Sequence, residues 1–268
     1  MQTISVANHK GGVGKSATAE HLAWLFANRY GLRVLLIDMD PQGSLTEAMG
    51  VTDAEGASMA EVLGGSDHPA KKIKAILRDL GGGLFLAPAD IAMAVSEHAL
   101  ASRPLGRELV LQKTLEPIAP MFDMCWIDCP PSLSQLTYNS LFASDAVIIP
   151  TGATPKDLRG LRLFRETLDI LRPYHPIQEL GVLLTMFQPQ LRLHQRVLAE
   201  LEAAHEQGVM HLFQTRIGKS IRMSEAEEIG RPLFEYEGRN PRATEYEALA
   251  QEVAECLNLK VRASLALA

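Results

Sequence analysis

The segment Lys10-Gly11-Gly12-Val13-Gly14-Lys15-Ser16 constrains this chain more than any other part of it. A run that rich in glycine, placed between an apolar strand (Thr3–Ala7) and a helix beginning near Lys15, turns successive backbone N–H groups toward one point. The helix N-terminus adds its partial positive charge there, so the loop suits a polyphosphate. In such a loop Lys15 is expected to reach the β- and γ-phosphates and the Ser16 hydroxyl to ligate Mg²⁺. The strict spacing G-x-x-x-x-G-K-S is not met, because Asn8 or His9 stands where the first glycine would be.

Two further segments extend the same site. Leu35-Leu36-Ile37-Asp38-Met39-Asp40-Pro41-Gln42-Gly43 and Cys125-Trp126-Ile127-Asp128-Cys129-Pro130-Pro131 are both apolar strands that end in acids. Strand ends of this kind deliver carboxylates to the C-terminal edge of an open α/β sheet, where ligands bind. Asp128 has the character of a Walker-B acid, holding Mg²⁺ directly or through water.

Short apolar runs alternate with helix-length amphipathic stretches along the chain. The expected fold class is therefore α/β, a single-domain P-loop NTPase with a mostly parallel twisted sheet and helices on both faces. Strands are expected at Thr3–Ala7, Arg33–Ile37, Leu84–Ala87, Met124–Ile127, Ala146–Ile149, Gly181–Met186 and Leu212–Ile217. Helices are expected to begin near Lys15, Gly106, Leu158 and Leu191, with another over Glu245–Leu257. Gly81-Gly82-Gly83 and Gly64-Gly65 read as turns, giving one domain over residues 1–260 and a tail at 261–268 that is free to fray. No apolar run reaches the ~18 residues of a membrane span, and the N-terminus lacks the features of a secretion signal. Cys125, Cys129 and Cys256 have no second ligand pair at zinc-site spacing and are expected to be inert thiols, as suits a reducing cytoplasm. The net charge of −6 argues against coating nucleic acid by bulk charge but leaves room for a local basic patch.

The motif Val6–Ser16, the segment Val34–Gly43 and Asp128-Cys129-Pro130-Pro131 together resemble the ParA/Soj family of DNA-partition ATPases, in the superfamily of MinD and the nitrogenase iron protein. Gly181–Phe187 and Ile221–Ala226 are similar to Soj segments too, so the resemblance covers nearly the whole chain. It implies an ATP hydrolase that uses ATP and Mg²⁺ and forms a homodimer around two ATP. Lys10 would be the deviant-motif lysine that crosses to the partner's phosphates and neutralises charge there as an arginine finger does. Asp40 would position or activate the attacking water, Asp38 would support the Mg²⁺, and Met186 and Phe187 would line the adenine pocket. The family's Ser or Thr after Ser16, which contacts the α-phosphate, is replaced by Ala17. That substitution removes one hydrogen bond of roughly 0.5–1.5 kcal/mol.

The resemblance also implies non-specific binding of double-stranded DNA by the ATP dimer, a ParB-like protein that stimulates hydrolysis, and a cytoplasmic, nucleoid-associated location. Gln207–Ser224 holds Arg216, Lys219 and Arg222 without any acid, and Phe187–Ala199 holds Arg192, His194 and Arg196. Lys219 and Arg222 lie where the family carries DNA-contacting residues, and Arg192 and Arg196 are further candidates. A MinD-like membrane switch needs an amphipathic C-terminal helix with basic and bulky faces, whereas Glu255–Ala268 carries only Lys260 and Arg262 and no Phe or Trp. A ParA-like positioner of protein cargo would use the same cycle as a plasmid or chromosome segregator. The cysteines are not placed to share a cluster across a dimer, which argues against electron transfer.

Overall fold

The computed structural model describes residues 1–52, 57–64 and 73–259; Gly65 and the expected tail lie outside them. Among the described residues, one sheet is built from β1 (Gln2–Val6), β2 (Val34–Asp38), β3 (Arg78–Asp79), β4 (Leu84–Ala87), β5 (Met124–Asp128), β6 (Ala146–Thr151), β7 (Gln178–Phe187) and β8 (Leu212–Gly218). The helices are α1 (Lys15–Asn28), α2 (Ser44–Ala48), α3 (Met59–Val62), α4 (Met93–Ala101), α5 (Val110–Leu115), α6 (Gln135–Phe142), α7 (Pro155–Leu171), α8 (Arg192–Glu206), α9 (Ile221–Glu228), α10 (Leu233–Glu237) and α11 (Pro241–Cys256). None of the described helices is long and apolar enough to cross a membrane.

The strand order is β3-β4-β2-β5-β1-β6-β7-β8, and every pairing is parallel except the hairpin β3-β4. Gly81, Gly82 and Gly83 turn that hairpin at φ between 58° and 85°, a region L side chains avoid. β2, β5 and β6 are buried along their whole length, which is why they carry apolar runs without polar alternation. Side chains alternate between two apolar cores: Leu35 and Ile37 point into one with α4, α6, α7 and α8, while Val34 and Leu36 point into the other with α1, α9 and α11. Helix α1 is covered on nearly every side, with eleven of its fourteen residues buried. Register aligns Val6 and Asp38 with Asp128 on either side of β5, so the loops after β1, β2 and β5 open at one edge. This edge is the crevice where α/β sheets bind ligands.

All seven expected strands form, within a few residues of their expected ends. The polar pair Arg78–Asp79 gave no strand signal and pairs only at the sheet's edge. Helix α7 begins at Pro155, ahead of Leu158, because Thr154 and Asp157 close a capping box over a proline-led first turn. The helix expected near Gly106 opens with a 3₁₀ turn at Arg107–Leu109 before α5. Helix α11 starts at Pro241, where the Asn240 side chain accepts from the Arg242 N–H.

Candidate active site

The glycine loop leaves β1 and enters α1 through Gly12 and Gly14, at φ 70° and 76°. A side chain at Gly14 would have room, 3.7 Å from Thr185, so it is the left-handed backbone that calls for glycine. Two polar side chains hold the loop from below. Asn8 donates to the Pro150 carbonyl at 2.7 Å and accepts from the Lys10 N–H at 3.2 Å. The Thr185 hydroxyl lies 2.9 Å from the Val13 carbonyl and 3.1 Å from that of Thr151. Lys15 is buried over the loop and donates to the Lys10 carbonyl at 3.1 Å. Burial lowers its ammonium pKa, while Asp128, Cys129 and Asp40 nearby pull the other way.

Three carboxylates meet this loop in three different states. Asp38 is fully buried and fully bonded: it accepts from the Thr46 hydroxyl at 2.7 Å, the Thr46 N–H at 3.0 Å and the Asp40 N–H at 3.0 Å. Burial still pushes its carboxyl up to about 6. Asp40 is half-buried, faces the cavity over the loop, and accepts from the Gln42 N–H at 3.0 Å. Asp128 is fully buried with neither oxygen hydrogen-bonded among the described residues. Burial, then Asp38 beside it, holds its carboxyl well above the usual range; the Ser16 hydroxyl and Lys15 lower it without cancelling that.

An orphaned carboxylate costs free energy unless something positive pairs with it. Ser16 and Asp128 fit a divalent cation whose other ligands are phosphate oxygens and water. Among the described residues no cluster of three or more His, Cys, Asp or Glu side chains could hold a metal ion by itself. Asp38, with its lone pairs already engaged by Thr46 and Asp40, orients the loop after β2.

Lys10 is not free in this chain. Its ammonium pairs with Asp157, whose carboxylate is 5% exposed and whose other oxygen accepts from the Thr154 N–H at 2.9 Å. Burial would raise the Asp157 pKa, but the hydrogen bonds from Lys10 and Thr154 hold it below the ordinary carboxylate range. The signal for Asp157 was the capping pattern Thr154-Pro155-Lys156-Asp157, which reads as helix start and says nothing about Lys10.

Above the loop lies a cavity of about 380 Å³, lined by Gly11, Gly12, Gly14, Lys15, Ser16 and Ala17. It runs on between Met186, Ile217, Met223 and Tyr246. Met186 adopts φ 52°, a strained backbone for a non-glycine residue, at the cavity mouth. Phe187 instead packs against the core and on His194, outside the lining. Lys219 lines the cavity. Arg222 is exposed but engaged by Glu225 at 2.7 Å and Glu237 at 3.6 Å. Arg192 and Arg196 are exposed at the start of α8, and neither forms an ion pair among the described residues. Cys125 and Cys129 are buried, with thiols pushed up by burial, to about 12 for Cys129; among the described residues no disulfide forms.

A glycine loop at the switch point of a parallel sheet, with a buried lysine and an orphaned strand-end aspartate over one cavity, defines the P-loop nucleotide-binding class. A family model described as an AAA domain matches residues 1–178. The chain is 35% identical to the sporulation initiation inhibitor protein Soj of Bacillus subtilis, over 94% of this chain and 97% of that one. It is also 35% identical to the chromosome-partitioning ATPase Soj of Thermus thermophilus, over 94% and 95% of the two chains. A McdA variant of Cyanothece, in complex with ATP, superposes with TM-score 0.83 at 26% identity, over 97% of each chain. The chain belongs to the ParA/Soj family of P-loop ATPases.

Proposed function

We propose that this chain hydrolyses ATP with Mg²⁺, dimerises in its ATP state, engages duplex DNA as that dimer, and is reset by hydrolysis that a ParB-like partner stimulates. The observation that carries the hydrolytic half is Asp128, fully buried beside Ser16 and Lys15 with neither oxygen hydrogen-bonded among the described residues. When bound, Mg²⁺ supplies neutralisation of phosphate charge at Ser16 and Asp128. The loop N–H groups and Lys15 bind the phosphates and hold them still, which in phosphoryl transfer is most of the catalytic task. Asp40, on the cavity wall with an oxygen to spare, orients the attacking water.

The cycle would serve plasmid or chromosome partition or the positioning of a cargo, a role motivated by the name of one relative, a chromosome-partitioning ATPase. Lys10 would have to leave Asp157 to act across a dimer, which ties subunit contact to the phosphates. Of the four basic candidates, Arg192 and Arg196 are best suited to DNA phosphates, because Arg222 is held by two carboxylates and Lys219 faces the nucleotide cavity. The test is a DNA-binding titration with ADP, ATP and a non-hydrolysable ATP analogue, run beside anionic liposomes. Retention of DNA with ATP or the analogue but not ADP, and none of liposomes, is expected. Nucleotide-independent DNA retention, or ATP-dependent liposome retention, would overturn the proposal.

A further inference from the structure

The cavity over the phosphate loop has a second charged wall that phosphate binding does not use. Glu20 lies on α1 four residues beyond Ser16, hence on the same helix face and about 6 Å further from the loop. It lines the cavity, yet it is only 2% exposed. Among the described residues its carboxyl has no hydrogen-bond donor. His21 Nδ1 stands 3.8 Å away and is engaged at 2.7 Å by the Ala17 carbonyl. Burial, with Glu227 and Asp128 nearby, holds the Glu20 carboxyl well above the ordinary range. Glu227 is open to solvent and lines the same part of the cavity.

The remaining walls beyond the loop include Met186, Ile217 and Met223, which are apolar, and the Tyr246 ring. A ligand anchored by its phosphates at the N-terminus of α1 places its nucleoside along these walls. A slot between these walls, with Lys219, Ser220 and Ser224 beside them and the Glu20 acceptor without a donor among the described residues, fits a flat heteroaromatic ring that carries an N–H group at its edge.

Resting on the reading of the loop as the ATP phosphate site, we propose that Glu20 is a specificity-determining residue whose carboxyl oxygen accepts a hydrogen bond from the exocyclic amine of adenine. The helix that holds the phosphates at its first turn then reads the base at its second. A site built around that amine rejects an analogue lacking it, since the buried acceptor is left unpaired.

The test compares dissociation constants of ATP, purine riboside triphosphate (hydrogen in place of the amine) and 2′-deoxy-ATP for wild type, Glu20→Gln and Glu20→Leu. Wild type is expected to prefer ATP over the purine analogue by about tenfold and to bind 2′-deoxy-ATP like ATP. Glu20→Gln keeps an acceptor oxygen and should keep the preference. Glu20→Leu should lose the preference and bind ATP and the analogue alike, since neither the acceptor nor its penalty remains. Equal binding of ATP and the purine analogue by wild type would overturn the inference even if neither variant folds. So would a Glu20→Leu protein that still discriminates, or a wild type that rejects 2′-deoxy-ATP instead, which would assign Glu20 to the ribose. If no triphosphate binds wild type, the phosphate-site reading fails first and the inference with it.

Discussion

Lys10 and Asp157 form a contact that the proposed reach of Lys10 across a dimer would have to break. The pair is half-sheltered, and the same carboxylate also holds the α7 capping box through Thr154. Asp157→Asn keeps an oxygen for the Thr154 N–H but removes the charge that holds Lys10. ATP-dependent dimers should then form at several-fold lower protein concentration in sedimentation velocity, while ATP affinity of the monomer stays the same. An unchanged dimerisation constant would mean that release of Lys10 does not limit assembly. Lys10→Ala should bind nucleotide and remain monomeric, whereas Lys15→Ala should lose stable ATP binding; an ATP-dependent dimer of Lys10→Ala would exclude a trans role. Asp40→Ala should bind ATP but release little phosphate, and near-normal turnover would move the water-orienting role to another acid.

At the scale of the element, α1 concentrates the site's chemistry on a helix with almost no solvent-facing side. Ala17 is 8% exposed and lines the cavity, so Ala17→Thr introduces a hydroxyl where the α-phosphate is expected. ATP should bind a few-fold more tightly, the ~1 kcal/mol of one net hydrogen bond; an equal or larger dissociation constant in calorimetry would mean that water or another donor already serves that oxygen. One turn on, His21 is buried against Tyr246 with ring centroids 4.4 Å apart, and its Nε2 has no partner among the described residues. Burial lowers its pKa to about 4 from 6.5. The folded state keeps His21 neutral while the unfolded chain takes up a proton, so stability from this group is lost as pH falls below 6.5. Between pH 7 and 5 the loss is at most about 2 kcal/mol. His21→Phe should therefore lose less thermal stability than wild type over that interval, and parallel melting-temperature curves would show that His21 is not the titrating group.

For the molecule as a whole, the net charge of −6 confines the proposed DNA binding to a few placed cations. Arg192 and Arg196 stand one turn apart at the start of α8, and among the described residues neither pairs with a carboxylate. Arg192→Glu/Arg196→Glu should lose ATP-dependent retention of arbitrary duplex DNA without losing ATP binding. Arg222→Glu should weaken it less, because Glu225 and Glu237 already neutralise that guanidinium. Each phosphate contact adds roughly 0.9 to the slope of log affinity against log salt, so wild type should show a steep slope and little sequence preference. Equal retention by wild type and the double variant at two salt concentrations would move the DNA surface elsewhere.

What the sequence alone determined is what local pattern can encode. Apolar runs of strand length and the glycine spacing before Lys15 are one-dimensional signals, and they were enough for every strand of the described sheet except β3, for the phosphate loop and for the strand-end acids. Short helices such as α2 and α9 escaped because they have too few turns to show a period. What only the tertiary structure decided are pairings between residues far apart in the chain. Lys10 meets a partner 147 positions away, Asp128 is buried beside Asp38 in the neighbouring strand, and Arg222 is also paired by Glu237 from beyond its own helix. Packing of α9 and α11 beside α1 closes the cavity on Glu20. Charge and burial in three dimensions set these states, and a residue's identity records neither.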